Sequence, residues 1–138
     1  MLFGAHVSTA GGMDTGIDRI HDLGGTCVQV FTQSPRMWRP TAHRPEAVAR
    51  FKERREECGI EGVVCHALYL VNLASPSDDL YAKSITAMRA SLEAAVAIDA
   101  EAVIFHVGSH MGAGFEAGLA IVPPAPAEFS IRSHVRSV

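Results

Sequence analysis

Three imidazoles recur at one kind of place in this chain. His6 follows LFGA, His66 follows GVVC and His106 follows AVIF, so each stands at or just beyond the end of a short apolar run. A neutral imidazole is the commonest protein metal ligand and can also move a proton near neutral pH. If the runs ending at His66 and His106 lie side by side, two rings come within reach of one ion, and zinc is the natural candidate. A single histidine at a strand end more often satisfies backbone groups; recurrence at three ends is what gives the metal reading weight. His110, in HVGSH, lies one loop further on and suits a supporting or substrate-contacting role, whereas His21, His43 and His134 fall in helix, loop and tail and carry no assignment.

The remaining apolar run ends in FTQSPRMWR, which holds Arg36 and Trp38, and Tyr69 follows His66 by three residues. A loop arginine is ordinarily solvated, and an aromatic after a strand ordinarily packs over its neighbours. Held together on one face above a metal, Arg36 and Tyr69 could instead wedge into a stacked duplex and contact its phosphates. Met37 and Trp38 could belong to the same wedge or cap the next helix. Cys27, Cys58 and Cys65 are most simply small buried hydrophobes.

The elements that must position these groups alternate in type. Residues 2–7 read as a strand, and Met13, Ile17, Ile20 and Leu23 then recur at helical spacing until Gly24 and Gly25. Residues 26–31 form a second strand, and Pro45 opens a charged helix closed by Gly59. Residues 62–65 form a third strand. The third helix is capped by Ser75 with Pro76 at its first position, and Tyr81, Ile85, Met88, Leu92 and Ala95 make its apolar stripe. Residues 102–105 form a fourth strand, and GAGFEAGLA opens a fourth helix. Alternation of this kind implies parallel pairing through right-handed crossovers, and four units are half of an eight-stranded α/β barrel, in which functional side chains gather at the C-terminal ends of strands. A small doubly wound sheet is the alternative, but no GxGxxG or GxxxxGK[ST] follows any strand.

Composition bounds the possibilities. The chain has 138 residues, 48% hydrophobic and 20% charged, with a formal net charge of -3. That describes one ordinary globular domain and no global basicity, so any nucleic-acid contact must come from a local patch. An odd cysteine count without CxxC suits a reducing compartment, and no run of about 18 apolar residues or signal-like N-terminus occurs, so a cytoplasmic protein with no membrane span is expected. From Ile121 the sequence IVPPAPAEFSIRSHVRSV loses helical spacing and gathers prolines; the expected organisation is a partial barrel over residues 1–120 and a Pro-rich tail over 121–138.

GAHVSTAGG at the first strand, FTQSPRMWR after the second, CHALYLVNLASP after the third and FHVGSH after the fourth together resemble endonuclease IV, the zinc-dependent apurinic/apyrimidinic endonuclease family of base-excision repair. The likeness runs from Met1 to about Ala120. It implies the N-terminal half of a (β/α)8 TIM barrel of xylose-isomerase-like type, a three-zinc cluster at its mouth, and cleavage of the phosphodiester 5′ to an abasic site in double-stranded DNA. Carried over residue by residue, His66 and His106 match two ligands of one zinc, Arg36 and Tyr69 match residues that enter the duplex beside the lesion, and His6 and Ser8 fall in a motif lining the mouth, where Ser8 is expected to meet DNA and His6 to support the site.

The sequence departs from the family where the bridging carboxylate and the later aspartate, glutamate and histidine ligands belong. Glu128, in PAEFS, lacks the surrounding motif and inherits no role; Ala67 and Leu68 stand where polar residues are usual. The chain is therefore expected to behave as an N-terminal portion of such an enzyme, at most a partial zinc site, weak or inactive alone. Other readings are a non-catalytic half-barrel module that associates with itself or another chain through its open edges, and a fragment of a sugar isomerase or epimerase of the same barrel type.

Overall fold

The computed structural model describes residues 1–122. The Pro-rich stretch beyond Val122, with Glu128 and His134, lies outside the described residues. Four strands and four helices alternate: β1 (Gly4–His6), α1 (Asp14–Asp22), β2 (Cys27–Phe31), α2 (Pro45–Glu57), β3 (Gly62–His66), α3 (Asp78–Ala97), β4 (Ala102–Ile104) and α4 (Phe115–Ile121). Each strand pairs in parallel with its successor, giving one sheet in the order β1-β2-β3-β4. This is the half-barrel that the alternation predicts, with every expected element present.

Period-two alternation decides which side chains meet which layer. Val28, Val30, Val63 and Cys65 face the helices and join Ile17 and Ile20 of α1, Phe51 of α2 and Ala95 of α3 in the main core. The alternate residues, Gln29, Phe31, Val64 and His66, share the opposite face, the one that lines the inside of a barrel. Their partners across the sheet follow from register: His6 pairs with Gln29, Phe31 with His66 and His66 with Ile104. His6 thus sits two residues below the Phe31–His66 level and His106 two residues above Ile104, so the polar row climbs across the strands as it does in a tilted barrel.

The ends of the helices follow local chemistry. Pro45 fits the first position of α2, where its missing N–H costs nothing, and Gly59 takes φ +63° just past the C-cap. In α3 the cap differs from expectation: the helix begins at Asp78, and Ser77, not Ser75, accepts from Leu80 N. Ser75 is buried and its hydroxyl accepts from Ser77 N, one turn ahead of the helix. The buried stripe of α3 is Ser84, Ala87, Met88, Ser91 and Ala95, so Tyr81 and Leu92 stand at its margin. Two serines fit this stripe because each hydroxyl donates to the carbonyl four residues earlier, Ser84 to Leu80 at 2.7 Å and Ser91 to Ala87 at 2.9 Å.

At the N-terminal ends of the strands the Arg55 guanidinium fans out to the carbonyls of Ile60, Glu61 and Asp99 and to Glu101 Oε1. Glu101 Oε2 in turn accepts from Val63 N at 2.6 Å. One arginine therefore satisfies the turns that enter β3 and β4, and this end of the sheet is a structural anchor. The other end is left for chemistry.

Candidate functional site

At the C-terminal rim four aromatic side chains and His6 form one cluster. The ring centroids of His66 and His106 are 5.3 Å apart and their planes tilt by 50°. His6 stacks on the other side of His66 at 5.9 Å with planes only 24° apart. Phe31 fills the space between, 4.5 Å from His6 and 5.1 Å from His66. Tyr69 stands edge-on to both Phe31 and His66, at 5.2 and 5.5 Å, and 6.2 Å from His106. The sheet produces this arrangement directly, because Phe31 and His66 are register partners and His106 follows the partner of His66 by two residues.

His66 is buried, and its Nδ1 lies 2.6 Å from the carbonyl of Ala67, which makes Nδ1 the protonated nitrogen. Nε2, which bears the lone pair whenever the ring is neutral, has no hydrogen-bond partner among the described residues. A backbone carbonyl holding one imidazole nitrogen while the other is left free is the usual outer support of a metal-binding histidine. Two imidazoles on one tetrahedral ion, at ordinary zinc–nitrogen lengths, bring their centroids to roughly 5 Å, which the 5.3 Å between His66 and His106 matches. His6 does not extend the pair: nearly parallel stacked rings send their in-plane lone pairs side by side, and His6 Nδ1 is engaged by Gln29 Nε2 at 2.8 Å. Accordingly no three histidine, cysteine, aspartate or glutamate side chains among the described residues converge on a common point. Partial burial, and secondly the neighbouring His66, hold His6 below its ordinary pKa of 6.5, so it is neutral at pH 7.

The rim loops are braced from below. Arg19 of α1 donates to the carbonyls of Ser8 and Ala10 and to Thr15 Oγ1, fixing the loop after β1. Within that loop Ser8 Oγ accepts from Ala10 N, leaving its own proton free to donate. Thr9 ties the same loop to the carbonyl of Phe31. His43 Nε2 lies 2.5 Å from the carbonyl of Thr32 and holds the loop after β2, a role the sequence does not suggest. Trp38 does not cap α2, whose N-cap is Arg44; half-buried, it packs against the cluster formed by Ala67, Leu68, Val71 and Leu73 of the loop after β3 with Ala87 and Met88 of α3. Tyr69 N donates to the carbonyl of Pro35 at 2.9 Å, so the loops carrying Arg36 and Tyr69 are joined next to both residues. Arg36 and Tyr69 are both exposed, Tyr69 by 50%. His110 does not reach the imidazole pair; its Nδ1 accepts from Gly112 N and Gly114 N and shapes the turn into α4.

Between the loops after β1 and β2 lies a cleft of about 460 Å³ bordered by His6, Ser8, Phe31, Gln33 and Ser34. Gln33 Nε2 is buried with no partner among the described residues, a donor that sequence reading passes over. An amide left unpaired costs about 1–3 kcal/mol. Phe31 and Gln33 leave no signal of their own in the sequence, since either type is as common in a plain strand or loop.

Four parallel β/α units with polar and imidazole side chains gathered at the C-terminal rim define the barrel class of α/β proteins. The chain belongs to the xylose isomerase-like TIM barrel family, whose family model matches residues 17–123. It is 42% identical over 116 residues to a probable endonuclease 4 of Natronomonas pharaonis, an alignment covering 84% of this chain and 42% of that protein. The crystal structure of endonuclease IV from Thermus thermophilus superposes with a TM-score of 0.75 at 35% identity, over 88% of this chain and 47% of that one. A D-psicose 3-epimerase shares the fold alone, at 11% identity and a TM-score of 0.57 over 76% of this chain and 37% of that one. The chain thus spans just over two fifths of the length of the curated relative it matches.

Proposed function

We propose that this chain carries the lesion-reading part of a zinc-dependent DNA-repair endonuclease, of the endonuclease IV type, that hydrolyses the phosphodiester 5′ to an abasic site. What supports the reading above all is the 5.3 Å between the rings of His66 and His106, with Tyr69 edge-on to His66 at 5.5 Å on a loop bonded to the one that bears Arg36. In this reading the two Nε2 atoms hold the ion. Tyr69 and Arg36 enter the duplex beside the lesion, where no base opposes them, and Ser8 donates to the DNA backbone. His6 and His110 keep the rim in shape. When bound, zinc supplies hydroxide near neutral pH and neutralises charge developing on the phosphate. A catalytic zinc ordinarily has three protein ligands and an open position. His66 and His106 supply two, so turnover by this chain alone is slow, and the three-zinc cluster of the family needs ligands beyond the described residues. The three free thiols suit the reducing cytoplasm, and no helix among the described residues is long and apolar enough to cross a membrane.

The test is a gel assay with two duplexes that differ only by one abasic site, each with and without zinc. The expected result is preferential retention of the abasic duplex, with slow 5′ incision that needs zinc. Equal affinity for both duplexes under all conditions overturns the reading.

One observation favours a second reading, a half-barrel module that associates with itself. β1 and β4 are exposed along almost their whole length, and Leu2, Phe3, Ile104, Phe105 and Val107 present apolar surface there. Size-exclusion chromatography with light scattering decides it: a compact dimer supports the module and a monomer at all concentrations removes it.

A further inference from the structure

The two candidate ligand histidines stand on different strands, so something must fix the distance between their loops. The strand ladder reaches only to Ile104, whose carbonyl accepts from Ala67 N at 2.8 Å. Beyond it the loop after β4 carries His106, Val107, Gly108 and Ser109 away from the sheet, and two side chains from the loop after β3 reach across to it: Ser75, whose Oγ donates to Met111 Sδ at 3.7 Å, and, nearer the histidine, Asn72. Asn72 Oδ1 accepts from Ser109 N at 2.9 Å and from Ala74 N at 3.1 Å, while Asn72 Nδ2 donates to the carbonyl of Ser109 at 3.0 Å. Leu73 N donates to the carbonyl of Val107 at 2.8 Å alongside. The amide thus pairs with both backbone groups of one residue, as a strand neighbour would, and its polarity is fixed: reversed, it would set its NH2 against two N–H donors. Asn72 is itself held from behind, its N–H donating to Ser84 Oγ of α3 at 2.9 Å.

Gly108 is shaped for this contact. It adopts φ +112°, and a Cβ added there would collide with Asn72 Oδ1 and come within 2.7 Å of Asn72 Cα. Only glycine lets the two loops approach this closely in this conformation.

We propose that Asn72 is a positioning residue, a side-chain clasp seated on Gly108 that sets His106 against His66 at the separation one metal ion requires. The inference deepens the functional reading above and rests on it for the ion. Removing the clasp frees Gly108 and Ser109 and leaves the Leu73–Val107 backbone bond as the nearest tie between the two loops, so His106, next to Val107 in the chain, loses the fixed geometry it shares with His66, which the strand itself holds.

The full 138-residue chain is titrated with Co2+ followed by visible absorption, and the His66–His106 ring contact is followed by NMR without metal. Asn72→Ala is expected to weaken Co2+ binding about tenfold or more, to abolish the ring contact and to unprotect the Ser109 amide while amides of β2 and β3 stay protected. Asn72→Asp keeps both N–H acceptor bonds and loses only the donor to Ser109, so it falls between wild type and Asn72→Ala. Gly108→Ala behaves like Asn72→Ala, and the double variant is weaker by less than the product of the two effects, because both break one contact. Phe51→Leu, in the separate main core, lowers the melting temperature without changing Co2+ affinity, which separates positioning from mere stability. Wild-type affinity and an intact ring contact in Asn72→Ala would overturn the clasp. A wild-type chain that binds no Co2+ overturns the metal reading alone, and the ring contact and Ser109 protection then decide the clasp.

Discussion

Tyr69 and Pro35 are joined by a backbone hydrogen bond of 2.9 Å between two loops that leave neighbouring strands. That bond sits one residue from Arg36, so the two side chains assigned to the duplex stand on loops tied directly to each other. Their contributions to binding should therefore separate by chemistry and not by position. Arg36→Ala is expected to weaken binding of abasic duplex and to lower the slope of log affinity against log salt by about one, the signature of one phosphate contact. Tyr69→Ala is expected to leave that slope unchanged and to remove the preference for abasic over intact duplex, whereas Tyr69→Phe retains it. Fluorescence anisotropy across a salt series reads both.

Arg19 holds the loop that follows His6 and bears Ser8 through a planar fork that meets two carbonyls and a hydroxyl. Lysine has the charge without the fork. Arg19→Lys should thus fail to rescue Arg19→Ala: in both, amides of residues 7–11 exchange faster while those of β3 do not change. Rescue by lysine would show that charge alone does the bracing.

Cys65 is fully buried between β3 and the helices, and burial, with Glu101 adding to it, pushes its thiol from an ordinary 9.0 up to about 12. Above pH 9 the unfolded chain releases this proton while the folded chain keeps it, so the folded state binds more protons and stability falls as pH rises, levelling off near pH 12. His6 works in the opposite sense at the acid side. Its folded pKa lies below the ordinary 6.5, so the unfolded chain takes the proton first and stability falls as pH drops below about that value. Urea midpoints between about pH 5 and 11 should decline at both ends, with Cys65→Val flattening the alkaline arm and His6→Gln the acid one. An unchanged alkaline arm in Cys65→Val would assign that loss to another group.

Much of this is legible in the residue pattern. The alternating strands and helices, the parallel order, and the appearance of His66 and His106 at one rim all follow from period, turn residues and the rule that barrel chemistry sits at strand C-termini. What escapes is set by distance in the chain. Asn72 meets Ser109, and His43 meets the carbonyl of Thr32, through contacts that no local spacing encodes. The start of α3 differs from expectation for a local reason: Ser75-Pro76 and Ser77 both carry capping chemistry, and the buried Ser75 hydroxyl is consumed in accepting from Ser77 N, which leaves Ser77 as the cap. The serines of the α3 stripe escape because a polar type at a core position betrays itself only once its carbonyl partner is known.

Whether His66 and His106 share one ion is measured most directly by X-ray absorption at the zinc edge of the zinc-loaded chain. The prediction is an outer-shell pattern from two imidazoles with nitrogen at about 2.0–2.1 Å, reduced to one imidazole or lost in His66→Ala and in His106→Ala. A spectrum without imidazole scattering, or one that neither substitution alters, would contradict it.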